Sequence, residues 1–272
     1  MDILGSSVPA VLEDRFDSER LPREIATTAI RELLCGISYL HRQGLAHGDI
    51  HVGNLCFSAP SLASTTEEEL LRVLGRPTIS KVHGRLGQSH NQGIPEYLVR
   101  PSPVPVTDTP TKNIRIIDFG QSFTNSTRPR TLKTPLVLRP PEVLFNDDWD
   151  YRVDLWSTGC TIFELMTGQP PFDSVMATKE TLIVQMIESI GQLPPMWQDK
   201  LPPNLPENPQ NDGSSIQEWL RELIFDSDLP PNYTGEEVED VGSLIGQLMR
   251  FNPYERISAE EACRKWSTYF PP

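Results

Sequence analysis

Apolar residues recur at Ile25, Ala29, Ile30, Leu33, Leu34, Ile37 and Leu40, the spacing that lays one buried face along a helix, so the pattern predicts a helix from Pro22 to Arg42. Pro22 suits its first turn and Gly44 its stop. Residues 45–57 set His47, Gly48, Asp49, His51 and Asn54 between apolar neighbours, which reads as a tight loop running into a strand. Residues 58–112 are polar, rich in Pro and Ser and aperiodic apart from a helix expected over 66–74, the mark of a long surface insertion. Ile114, Ile116 and Ile117 predict a short strand that stops at Asp118-Phe119-Gly120. From Tyr151 to Thr167 the chain is apolar on most sides, which predicts a helix buried all round at the centre of a domain. Amphipathic helices are expected over 178–190 and 236–250, with a Pro-rich connection over 192–213 between them. Ser258 followed by Glu261 is a capping-box signature that opens a last helix.

Charge then narrows the classes. The 24 Lys and Arg against 37 Asp and Glu leave a net charge of −13 over 272 residues, which argues against a surface that coats nucleic acid. No stretch approaches the ~18 apolar residues of a membrane helix, and the N-terminus has neither a basic start nor an apolar run, so an intracellular protein without membrane contact is expected. Cys35, Cys56, Cys160 and Cys263 lie far apart with no C-x-x-C pair. Cys35 and Cys160 fall inside apolar helical patterns and are expected to be buried, inert thiols. His83 and His90 form at most an isolated pair within the insertion and read as surface histidines.

Three oxygen-bearing side chains stand out on loops: Asp49, Asn54 five residues on, and Asp118 at the end of a separate strand. Two carboxylates and an amide are hard donors, suited to one base or orienting group and to an octahedral Mg²⁺ that also holds nucleotide phosphates. A lone Asp in a loop is most often a turn or helix cap. The order of these three and their flanking strands set them apart.

At these residues the sequence resembles the eukaryotic protein kinase family. His47-Gly48-Asp49-Ile50-His51-Val52-Gly53-Asn54 is similar to the catalytic loop, and Asp118-Phe119-Gly120 to the metal-binding D-F-G triplet. Pro140-Pro141-Glu142 resembles the A-P-E that closes the activation segment, Asp154-Leu155-Trp156-Ser157 the start of the central helix, and Arg256 the arginine that pairs with that glutamate. The resemblance covers nearly the whole chain, residues 1–272, as the C-terminal lobe: a mostly α fold with a few short strands around the catalytic and D-F-G loops. It implies a serine/threonine kinase using ATP and Mg²⁺, with Asp49 and His51 catalytic and Asn54 and Asp118 binding the nucleotide's metal. Arg139, the long insertion and the Gly93–Val99 stretch look most like SR-protein-kinase-like enzymes, which implies a basic, Arg/Ser-rich protein substrate.

The departures carry their own expectations. No G-x-G-x-x-G and no lysine precede Lys81, so the resemblance implies a missing N-terminal lobe, with residues 1–12 as a remnant of the inter-lobe hinge. His51 stands where the family has a lysine, and supplies less positive charge at pH 7. Gly48 replaces an arginine that links the loop to a phosphate on the activation segment, which implies activity without phosphorylation there. In the family a threonine near position 134 contacts the catalytic aspartate. H-G-D-x-H-x-x-N is also how small-molecule phosphotransferases such as the aminoglycoside enzymes read, and a non-catalytic, pseudokinase-like binding module is a third reading. The oligomeric state is left open by the sequence.

Overall fold

The computed structural model describes residues 4–15, 20–59, 65–82, 93–100, 113–172, 175, 177–201, 215–226 and 232–271. Strand β1 (Leu4–Ser7) leads into α1 (Val8–Arg15), followed by α2 (Arg23–Arg42), β2 (Leu45–Ala46) and β3 (Leu55–Ser58). The predicted insertion contributes α3 (Glu67–Leu74), β4 (Ile79–Lys81) and β5 (Tyr97–Val99). Then come β6 (Ile114–Ile116), β7 (Phe123–Thr124), α4 (Pro141–Leu144), α5 (Val153–Thr167), α6 (Lys179–Ile190), α7 (Pro195–Gln198), α8 (Ile216–Phe225), α9 (Gly235–Leu248) and α10 (Ala259–Tyr269). Helices dominate, and the short strands other than β4 and β5 gather at the loops on either side of Asp49 and Asp118, as the resemblance implies.

Helix α5 is the spine. Every residue from Val153 to Met166 is buried except Glu164, and α2, α8 and α9 pack around it. Helix α2 buries the predicted stripe of Ile25, Ala29, Ile30, Leu33, Leu34 and Ile37, lying between α5 and α10. Trp156, Trp197, Trp266, Phe163 and Phe172 are fully buried in this single core. Each such aromatic removes a large apolar area from water, at about 25 cal/mol per Å², so these rings fix the relative placement of the helices. A second, smaller cluster of Ala46, Phe123, Leu132 and Val153 lies under the segment that follows the D-F-G.

Strand β3 is the centre of a three-stranded antiparallel sheet, with β1 on one side and β6 on the other. Residues 4–12, expected as a hinge remnant, thus form a strand paired to β3 and a helix whose Val8 and Val11 reach the core. In the 58–112 region, α3 is closed by a Thr66–Glu69 capping box but buries no residue, and β4 and β5 pair with each other and are exposed throughout. Strand β3 extends through Ser58, one residue into the span read as insertion. His83, His90 and residues 202–213 of the Pro-rich connection lie outside the described residues.

One local expectation is corrected. Cys35 is exposed on α2 and bonded to Cys263 of α10, so it is not a buried thiol; the position falls just off the stripe formed by Leu33, Leu34 and Ile37. Cys160 is buried as expected. At α10 the Ser258 hydroxyl accepts from the Glu261 N–H at 3.2 Å, so the forward half of the capping box is formed.

Candidate active site

The site begins with the β3–β6 register. Leu55 pairs with Ile116, so the residues just outside that pair, Asn54 and Ile117, face each other, and the Ile117 N–H donates to the Asn54 carbonyl at 2.9 Å. Asp118 follows immediately, and the end of one strand and the start of the other thus bring Asn54 and Asp118 to the same edge. Strands β2 and β7 pair Ala46 with Phe123, which draws the 47–54 loop against the segment after the D-F-G.

A buried carboxylate holds the loop. Asp154, at the first turn of α5, accepts from the backbone N–H of His47 at 2.7 Å and of Gly48 at 2.8 Å, and its Oδ2 lies 3.0 Å from His41 Nε2. A carboxylate at the start of an all-round apolar helix is costly unless its oxygens find donors, and here the loop backbone supplies them. His47 is fully buried; its Nδ1 accepts from the Asp49 N–H at 3.2 Å, which leaves the proton on Nε2 to donate to the Ile117 carbonyl at 2.9 Å. Its ring meets Phe119 edge-on with centroids 5.0 Å apart. The histidine is therefore a strut between the two loops.

Asn54 donates through Nδ2 to the Asp49 carbonyl at 2.9 Å, so its Oδ1 is the end left for a ligand. The Asp49 Oδ1 atom is buried and without a hydrogen-bond partner. Its Oδ2 lies 3.8 Å from His51 Nε2, beyond a direct hydrogen bond. His51 Nδ1 accepts the Gly53 N–H at 3.1 Å, so the neutral ring carries its proton on Nε2, toward Asp49. Burial pushes the His51 pKa below its ordinary value, while the negative charges of Asp49 and Asp118 pull it partly back. Asp118 adopts a left-handed backbone, φ 62°, and its Oδ1 accepts from the Gly120 N–H at 3.2 Å.

Asp49, His51, Asn54 and Asp118 are thus neighbours, held by a β register and by Asp154. Neither Asp154 nor His41 stands out in the sequence as an anchor of the loop; a carboxylate in the first turn of an otherwise apolar helix is the available signal. The Thr134 hydroxyl donates to the Gly48 carbonyl at 2.8 Å, rather than to the Asp49 carboxylate that the resemblance implied. With the left-handed backbone at Gly48, φ 79°, that carbonyl faces the activation segment.

Mg²⁺ and nucleotide phosphate are the ligands such donors suit: an unpartnered carboxylate oxygen, an amide oxygen and a second carboxylate, with an uncharged N–H donor from His51 beside them. Among the described residues no cluster of three His, Cys, Asp or Glu side chains forms a self-sufficient metal site, so a cation here would take part of its shell from phosphate and water.

The protein kinase domain family matches over residues 99–267, and the chain belongs to that family. The match contains the D-F-G, the Pro-Pro-Glu and Arg256; the His47–Asn54 loop lies outside it, on the N-terminal side of residue 99 and separated from it by most of the 58–112 region. The stress-activated protein kinase JNK of Drosophila melanogaster is 28% identical over an alignment covering 97% of this chain and 57% of that protein. The serine/threonine-protein kinases AFC1 and AFC2 of Arabidopsis thaliana are 24% and 30% identical, covering 89% and 56% of this chain and 48% and 37% of theirs. The chain spans about half the length of the curated relatives it matches.

Proposed function

We propose that this chain is the catalytic lobe of an ATP- and Mg²⁺-dependent serine/threonine kinase that phosphorylates a protein hydroxyl. The observation that carries the reading is the grouping of Asp49, Asn54 and Asp118 at one strand edge with a buried Asp49 oxygen left unpartnered. Asp49 orients and accepts the proton of the substrate hydroxyl, Asn54 and Asp118 hold the metal, and His51 offers Nε2–H near the transferring group. Bound Mg²⁺ would neutralise the charge that develops on the phosphate oxygens.

The glycine-rich loop and the strand lysine that grip phosphates in this family are absent from these 272 residues, so the reading requires them from outside the sequence given. Phe119, beside the site, is 44% exposed, a large apolar side chain in the place a second lobe would cover. An SR-protein-kinase-like preference for basic Arg/Ser-rich protein segments rests on the net charge of −13 and on the motif likeness, and an intracellular location on the sequence pattern. Activity without activation-segment phosphorylation has structural support. Thr124, Ser126 and Thr127 are hydrogen-bonded among themselves, and Arg128, one of the three cations of this segment with Arg130 and Lys133, binds the Asp148 carboxylate and the Trp149 carbonyl.

The test is phosphoryl transfer from labelled ATP to an Arg/Ser-rich peptide by the full-length product of the gene, with Asp49→Asn as control. A loss of about 10²–10⁴-fold in the variant is expected. Equal activity in both would remove Asp49 from the mechanism, and the 272-residue chain alone is expected to bind ATP·Mg²⁺ too weakly for calorimetry in the micromolar range.

A further inference from the structure

We propose that Cys35 and Cys263 form a reversible thiol–disulfide site that sets how tightly α10 is held to the body of the domain. The two residues stand on α2 and α10, their Cα atoms 5.6 Å apart and their sulfurs joined, although 228 residues separate them in sequence. That Cα spacing lies in the range a disulfide spans without moving backbone. Cys35 is exposed and Cys263 half-buried, so both a small oxidant and a small reductant reach the pair. The remaining cysteines offer no competing chemistry: Cys56 and Cys160 are buried, and burial holds both thiols protonated.

The helices do not depend on the bond for their contact. Trp266 is buried against α2 and donates through Nε1 to the Thr27 carbonyl at 3.1 Å, and Arg31 donates to the Phe270 carbonyl at 2.7 Å. Opening the disulfide therefore leaves α10 docked but free to open locally, whereas closing it removes that freedom. Helix α2 also carries His41, which touches the Asp154 carboxylate beneath the catalytic loop, so the pair restrains the helix that supports the site. In a reducing compartment the dithiol is the resting form and oxidation the event.

The chemistry balances with hydrogen peroxide as oxidant. The Cys35 thiolate attacks the peroxide oxygen, breaks the O–O bond and becomes a sulfenic acid as the first water leaves; the Cys263 sulfur then attacks Cys35, expels the second water and forms the S–S bond. Two thiols are oxidised by two electrons and hydrogen peroxide is reduced to two waters. A small dithiol reverses the step by exchange through a mixed disulfide.

The experiment treats the chain with hydrogen peroxide or with dithiothreitol, then reads intact mass, disulfide-linked peptides, melting temperature and amide exchange. The oxidised form should weigh two hydrogens less, yield a Cys35–Cys263 peptide, melt roughly 5 °C or more above the reduced form, and exchange the α10 amides at least ten-fold more slowly. Cys35→Ser and Cys263→Ser should each abolish the redox difference. Four free thiols persisting after peroxide, rather than the two of Cys56 and Cys160, or a linked form with unchanged melting and exchange, would overturn the proposal from the wild-type chain alone.

Discussion

Gly48 holds the most constrained backbone in the catalytic loop. Its φ of 79° is left-handed, and a Cβ built there would lie 2.6 Å from the Gln121 carbonyl oxygen and 3.2 Å from the Phe123 ring. Gly44 has nearly the same backbone, φ 71°, with nothing within 4 Å of its Cβ position. The pair separates backbone strain from steric exclusion. Gly44→Ala should cost about 1 kcal/mol, the ordinary left-handed penalty for an L-residue. Gly48→Ala should cost ~1–3 kcal/mol more, because the β2–β7 pairing holds the Gln121–Phe123 segment against the loop. Urea denaturation of the two variants checks the difference, and equal midpoints would show that the loop moves aside without cost. The same crowding explains why the residue before Asp49 is not simply exchangeable for a longer side chain.

Helix α5 shows what a pattern reveals and what it hides. Its burial was legible because apolar residues cover nearly every side, and so was the stripe on α2. By contrast α8 does not stand out in the sequence, although Ser215 and Glu218 form a complete capping box and Ile216, Leu220 and Ile224 bury one face; the helix is only ten residues long and follows a Pro-rich run that dominates the local composition. The convergence of Asp49, Asn54 and Asp118 was legible only through motif likeness, since periodicity says nothing of which strands pair. The Cys35–Cys263 link was invisible because it depends on how α2 and α10 cross. Within α5, Glu164 breaks the apolar pattern; it is half-buried, and its partial desolvation pushes its carboxyl up to about 7 from an ordinary 4.5. Because the folded-state pKa is raised, this group favours folding fully below pH 4.5, and that contribution is lost as the pH rises through 7. Glu164→Gln should therefore leave stability unchanged at pH 4 and raise it by about 2–3 kcal/mol at pH 8.5. Melting curves at the two pH values check this, and a gain of equal size at both would assign the effect to packing instead of charge.

Across the whole molecule, the end of the activation segment is tied to the C-terminal helices by one buried ion pair. Arg256 and Glu142 are 114 residues apart, and both side chains are shielded from water. The guanidinium donates to the two Glu142 oxygens at 2.7 and 2.6 Å, to the Arg152 carbonyl at 2.9 Å and, through Nε, to the Arg250 carbonyl at 2.9 Å, and it lies 5.4 Å from the centroid of the Trp156 ring. Such a pair recovers its desolvation cost only because almost every donor and acceptor is used, and removing one partner leaves the other charge uncompensated. Arg256→Ala should cost about 3–5 kcal/mol. Arg221, whose contact with Glu239 is exposed and 3.6 Å long, should cost under about 1 kcal/mol when truncated the same way. Converting both Glu142 and Arg256 to Met should recover part of the loss, since no buried charge then stands alone, but not all of it, because the Arg152 and Arg250 carbonyls lose their donor. The loss should also be felt at a distance: α4 is short and Glu142 is its anchor, so amides from Thr134 to Asp147 should exchange faster in Arg256→Ala than in Arg221→Ala. Differential scanning calorimetry with hydrogen exchange on the three variants measures both effects, and equal melting temperatures for the Arg256 and Arg221 truncations would show that the pair adds nothing to the fold.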